Sequence, residues 1–215
     1  MSVEKMLEDL VVRNPELGAS KKDISKAFEL LKNSYGNKGK LLICGNGGSA
    51  ADSDHIVGEL MKRFSIPRAI PEELKTKLEN NFGEQGKYMA SRLEGSLPAI
   101  SLNGHNALSS AFANDVDAQL IYAQQVVGYG NKEDILMGIS TSGNAKNVVA
   151  AMIVAKAKGM KVLGLVGRDG GEFNKYCDVL INVGGNSTPQ IQELHLPVYH
   201  VLCQTLEYHF FSKTK

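Results

Sequence analysis

Five short runs of apolar residues, at 40–44, 98–102, 134–139, 161–166 and 178–183, recur along the chain. Each is nearly all apolar instead of alternating, which is the pattern of strands covered on both faces. Segments with apolar residues at helical spacing lie between most of them. Parallel strands need crossover connections, and helical crossovers supply the covering layers. The expected fold class is therefore α/β: a three-layer α/β/α sandwich around a five-stranded parallel sheet, with extra helices at both ends.

The extra N-terminal helices occupy residues 1–38. Val3, Met6, Leu7 and Leu10 keep helical spacing until Asn14-Pro15, and Ile24, Phe28, Leu31 and Tyr35 form a second helix ending at Gly36. Ser49 and Asp52 resemble a capping box for a helix through Phe64. Further helices are expected at 107–127 and 144–158. A last one starts near Thr188-Pro189, with threonine as cap and proline in the first turn, and runs to about Phe211. The charged segment 65–96 stands outside this rhythm and reads as a helical insertion. A chain of 215 residues suits a single domain, 1–215, with a sizeable core.

Several function classes fall away on charge and hydropathy. The net charge is +1 with no basic block, so nothing points to nucleic acid or an anionic membrane surface. The apolar runs are strand-sized, too short to span a membrane. Met1–Lys5 leads into an acidic amphipathic segment with no signal-peptide core. Cys44, Cys177 and Cys203 are widely spaced within apolar sequence and read as reduced core thiols, which places the protein in the cytoplasm.

Ligands of open parallel sheets bind beyond the carboxyl ends of the strands, where the strand order reverses. Three strands end in unusual loops. Gly45-Asn46-Gly47-Gly48-Ser49 lets backbone amides approach a ligand ahead of a helix N-terminus, or is simply a tight turn. Ser140-Thr141-Ser142-Gly143-Asn144 offers three hydroxyls, more than one cap needs, and makes a phosphate cradle without a fixed cation. Gly167-Arg168-Asp169-Gly170-Gly171 reads as a turn. Gly45-x-Gly47-x-x-Ala50 also fits a loose dinucleotide fingerprint, but the next strand ends in Ser101-Leu102-Asn103-Gly104 without the carboxylate a ribose needs. No nucleotide cofactor is expected.

His55 and Glu59 are four residues apart and share a helix face. The spacing suits a metal pair, a general base beside an imidazole, or an ordinary surface pair. Gln192, Glu193, His195 and His200 fall on one C-terminal helix. A lone histidine in such a helix is more often a core residue than a catalyst, and His105 and His209 are read the same way.

Cys-Gly-Asn-Gly-Gly-Ser (44–49), Asn114-Asp115, Ile-Ser-Thr-Ser-Gly-Asn (139–144) and Ile-Gln-Glu-Leu-His (191–195) with His200 together resemble the signature segments of the phosphoheptose isomerases, members of the sugar-isomerase (SIS) superfamily. The resemblance runs in order from residue 40 to about 207. It implies a flavodoxin-like SIS fold and the ketose–aldose isomerisation of sedoheptulose 7-phosphate to D-glycero-D-manno-heptose 7-phosphate, for surface polysaccharide such as lipopolysaccharide. By that resemblance Glu59 is the base and His200 the acid partner. Asn46, Gly47, Gly48, Ser49, Arg63, Asn114, Asp115, Ser140, Thr141, Ser142 and Gln192 bind substrate. His55, Glu59, Gln192 and His200 correspond to ligands of zinc, although glutamine is a poor zinc ligand. The assembly implied is a homotetramer.

Four departures bear on substrate identity. Ala145 replaces a serine of the phosphate loop, Gln190 replaces an arginine, Pro197 should kink the last helix, and 65–96 is longer than in compact members. Gln192 and His200 are about 12 Å apart along a straight helix, so a site using both needs a kink, a frayed turn or two subunits. A site shared between subunits is the preferred expectation. Two alternatives remain: an isomerase for another sugar phosphate, and a regulatory phosphosugar-binding protein of the same superfamily. Such a regulator lacks the glutamate and terminal histidine that this sequence has at 59 and 200.

Overall fold

The structure, a computed structural model, describes residues 2–212. Its elements run α1 (Val3–Arg13), α2 (Lys21–Gly36), β1 (Leu41–Gly45), α3 (Gly48–Met61), α4 (Glu72–Asn81), α5 (Gly83–Arg92), β2 (Ala99–Ser101), α6 (Asn106–Phe112), α7 (Ile121–Tyr129), β3 (Ile135–Ser140), α8 (Lys146–Ala157), β4 (Lys161–Val166), β5 (Val179–Asn182) and α9 (Thr188–Phe211). The five strands are all parallel, in the order β2-β1-β3-β4-β5.

Side-chain alternation sorts the strands' apolar residues into two cores. Leu41, Ile43, Ile135, Met137, Ile139, Leu163 and Leu165 face α1, α2, α3 and α9. Leu42, Cys44, Leu136, Val162 and Val166 face α7 and α8. Both faces are thus covered, which is why the runs carry no polar alternation. Each fully buried leucine or isoleucine contributes about 1.5–3 kcal/mol relative to exposure. Cys44 and Cys203 are buried free thiols and Cys177 is half-buried, pushed up to about 12 by burial.

Element boundaries depart from the sequence reading in five places, one being α8, which begins at Lys146 and not at Asn144. α3 begins at Gly48 with Gly47 at the cap position, so Ser49 lies inside the first turn and the Ser49/Asp52 box does not form. The same helix stops at Met61, short of Phe64, because Glu94 takes the Arg63 amide and Glu207 those of Phe64, Ser65 and Ile66. The segment 107–127 is not one helix. A π-helical turn (Ala113–Asp117) and a 3-10 turn (Ala118–Leu120) separate α6 from α7, and Asp117 leaves the helical region to accept a bond from the Gln119 amide. Finally, Ser187 and not Thr188 holds the cap position of α9.

α9 runs through Pro197 unbroken from Thr188 to Phe211. Residues 65–96 contain α4 and α5, packed on each other with almost no buried side chain of their own. No helix among the described residues is long and apolar enough to cross a membrane.

Candidate active site

The strand order reverses between β1 and β3, so the loops after these two strands flank one crevice. A hollow of about 330 Å³ opens there. Asn46–Ser49 line it from the first loop, Ser140, Thr141 and Ala145 from the second, and Thr188 and Gln192 from α9. The first turns of α3, α8 and α9 therefore converge on one space. Three helix N-termini bring partial positive charge, and none of the lining residues is itself charged. Larger hollows elsewhere, such as the one between α1 and α2, lack this convergence.

Close packing fixes the cradle's shape. A Cβ on Gly48 would stand 2.5 Å from Gln192 Nε2, so glycine alone lets the Gln192 amide lie across the first turn of α3. Gly143 adopts a left-handed φ of +68°, and a Cβ there would run into the Gly170 carbonyl. The third loop is thus a turn, as its sequence suggests, and one that props the second. Asn46 exchanges hydrogen bonds of 2.8 and 2.9 Å with Asn147. Asn103 and the Tyr122 hydroxyl both donate to the Gly45 carbonyl, at 2.7 and 2.8 Å.

The second group of residues lies further along the same two helices. α3 and α9 run in step: Gly48 meets Gln192, His55 meets Tyr199, and Phe64 meets Glu207. Between the last two contacts His55 Nε2 stands 3.2 Å from Glu59 Oε1. The other ring nitrogen, Nδ1, is 3.0 Å from the Tyr199 hydroxyl, which donates to Asp52 Oδ1 at 3.3 Å. The His200 ring centre lies 5.1 Å from that of His55 and 5.3 Å from that of Phe64.

Three atoms of this cluster are unspent, Asp52 Oδ2 among them. Glu59 Oε2 and His200 Nε2 are buried without a hydrogen-bond partner, though Lys62 Nζ stands 3.6 Å from the carboxylate oxygen. Leaving buried polar atoms unpaired costs about 1–3 kcal/mol each, which marks them as groups a ligand would engage. Burial, and then the charge of His55, hold the His200 imidazole below its ordinary range, with Glu59 opposing. Asp52 is raised by burial against the pull of Tyr199 and His55. The cluster combines a carboxylate acceptor with an imidazole, the equipment of proton transfer.

The remaining sequence candidates sit elsewhere. Asn114 and Asp115 occupy the exposed π-helical turn and bond to each other at 2.8 Å. Arg63 lies beyond the end of α3, its guanidinium 3.1 Å from Glu94. The Ser142 hydroxyl accepts a bond from the Asn144 amide, at 3.3 Å. His195 is wholly buried and held down to about 4 by burial; one ring nitrogen lies toward the Val166 backbone, but neither closes a good hydrogen bond.

The four residues matched to zinc ligands do not converge within one chain. His55, Glu59 and His200 gather, whereas Gln192 stays in the cradle against Gly48. No group of three or more His, Cys, Asp or Glu side chains among the described residues has metal-holding geometry.

Tyr199, Arg68 and Glu207 escape the sequence reading, and Asp52 enters it only as a helix cap. Tyr199 carried one signal, a phenol next to His200 on a helix that must face the His55 helix.

The SIS domain family model matches residues 14–95 and 94–167. A phosphoheptose isomerase of Helicobacter pylori strain P12 is 39% identical over 217 residues, covering 97% of this chain and 100% of its own length. One from Desulfovibrio desulfuricans is 40% identical over 174 residues, 81% of this chain and 70% of its own. Among solved structures, phosphoheptose isomerase GmhA of Neisseria gonorrhoeae superposes with a TM-score of 0.70 at 30% identity, covering 95% of this chain and 91% of that one. A phosphoheptose isomerase from Francisella tularensis gives 0.74 at 28% identity, covering 95% of each.

Proposed function

The chain belongs to the SIS-domain phosphoheptose isomerases, and we propose that it converts sedoheptulose 7-phosphate to the corresponding aldose, D-glycero-D-manno-heptose 7-phosphate, with Glu59 as base and His200 as acid partner. Aldose–ketose isomerisation of a sugar phosphate is the chemistry of the family. One observation supports the finer reading: a cation-free anion cradle and a pair of unspent proton-transfer groups lie on the same two helices. Glu59 lies ten residues beyond Ser49, about 15 Å along α3, with its side chain leaning back toward the cradle. A seven-carbon sugar phosphate suits that span better than a three-carbon one.

The chemistry follows from these positions. The phosphate sits in the cradle, bonded to amides at the helix N-termini and to the Ser140 and Thr141 hydroxyls. Glu59 removes a proton from C1 while His200 gives one to the oxygen on C2, leaving a neutral enediol. Glu59 then returns its proton to C2, and His200 takes the proton from the oxygen on C1, which becomes the aldehyde. Both groups end as they began. His200 acts best as a neutral imidazole, the form its burial favours.

The same reading carries a homotetramer; because Glu59 and His200 gather within one chain, a neighbouring subunit that shares the site would supply neither of them. The product would enter surface-polysaccharide heptose. Incubation with five-, six- and seven-carbon ketose phosphates tests the assignment, with aldose expected chiefly from the seven-carbon substrate. Preference for a shorter ketose would reassign the substrate, and binding without turnover of any would make the chain a phosphosugar-binding regulator.

A further inference from the structure

Beyond the two reacting groups, an ion pair buried at the far end of α3 has no part in binding or chemistry. Arg68 Nε stands 2.8 Å from Glu207 Oε1, and both side chains are essentially sealed from solvent. Neither group is content with its partner. The Arg68 guanidinium also donates to the carbonyls of Leu60 (2.6 Å) and Glu59 (2.9 Å), which close the last turn of α3. The Glu207 carboxylate accepts the amides of Phe64 and Ser65, each at 2.7 Å, and of Ile66 at 3.2 Å. Phe211 covers the guanidinium, its ring centre 4.9 Å away.

Burying two charges costs several kcal/mol per ion, and an apolar pair of similar volume often serves stability as well or better. The pair is therefore poorly explained as a stabiliser. Its bonds explain it differently. Arg68 takes hold of the backbone at Glu59 itself, and Glu207 lies two turns beyond His200 on α9. Together they tie the turn carrying one reacting group to the helix carrying the other, and they do so where the chain departs into the segment holding α4 and α5.

We propose that Arg68 and Glu207 are positioning residues, a clamp that sets the carboxylate of Glu59 against the imidazole of His200 for proton transfer. The proposal rests on the roles assigned above to Glu59 and His200. Proton transfer tolerates little error: a misplacement of about 1 Å can cost about 10²-fold in rate. The cradle is at the other end of α3, about 15 Å from Glu59 along the helix, so the clamp should leave phosphate binding alone.

The test compares Glu207→Gln, Arg68→Lys and the apolar double variant Arg68→Met/Glu207→Leu with the unaltered enzyme. kcat, KM and inhibition by inorganic phosphate are measured on each variant that unfolds cooperatively. The expected result for Glu207→Gln and the double variant is a kcat lower by about 10²-fold, with KM and phosphate inhibition within about threefold of normal. Arg68→Lys, which keeps the charge and part of the bonding, should lose less. If the single variants do not fold, the double variant decides, since it leaves no buried charge unpaired. Full kcat in a folded clamp variant overturns the proposal. So does an equal loss in kcat and phosphate inhibition, or failure of the double variant to fold, since either makes the pair a folding element only. Normal turnover by Glu59→Gln would instead remove the functional reading beneath it, an outcome separate from any clamp result.

Discussion

His195 gives the protein a pH-dependent weakness whose size can be worked out. Its ring is wholly buried, and burial holds its folded-state pKa down to about 4, against an ordinary value of 6.5. Above pH 6.5 both folded and unfolded chains keep the ring neutral, and it contributes no slope. Between 6.5 and 4 the unfolded chain binds a proton that the folded chain refuses, so stability falls with pH. The loss reaches about 2 kcal/mol at pH 5 and about 3 kcal/mol at pH 4. Carboxylates add slopes of their own, so the variant His195→Leu isolates this one. Leucine also removes two unpaired buried nitrogens, and at pH 7 the variant should be at least as stable as the original. Urea unfolding of both proteins at pH 7 and pH 5 reads the difference, and the variant's advantage should grow by about 2 kcal/mol on acidification. Parallel pH curves would refute the reasoning, because they require a ring that charges as readily inside the fold as outside it.

Two further predictions concern the site. Gly48→Ala should leave stability within about 1 kcal/mol, since alanine suits a helix and the Gln192 side chain can swing away; it should raise KM by displacing that amide from the cradle, as steady-state kinetics would show. Because Glu59 and His200 gather within one chain, mixing inactive Glu59→Gln with inactive His200→Ala under conditions of subunit exchange should restore no activity, and recovery would show that the two groups of one site come from two chains.

The sheet was legible because both of its faces are covered. Residues 161–166 form β4 with the same bounds that the apolar run suggests, and no other expected strand is displaced by more than a residue at either end. Helix ends were less legible because tertiary bonds decide them. Nothing near Met61 says that α3 stops there; the reasons sit at Glu94 and Glu207, far along the chain. The broken helix after Asn106 likewise depends on Asp117 preferring a local amide to the helical ladder. At the site, the glycine and hydroxyl loops singled out by composition line one hollow. The spacing of His55 and Glu59 announced a shared face but could not say that Tyr199 and Asp52 would hold the ring. The expected convergence of Gln192 with His200 fails within one chain because α9 stays helical through Pro197 and keeps them apart along its axis.

The most direct test of the central claim follows sedoheptulose 7-phosphate in heavy water with the original protein and with Glu59→Gln. The original should form the aldose 7-phosphate with solvent deuterium on C2, and Glu59→Gln should form it about 10²- to 10⁴-fold more slowly while inorganic phosphate still binds. Aldose formation at a near-normal rate by folded Glu59→Gln would contradict the account.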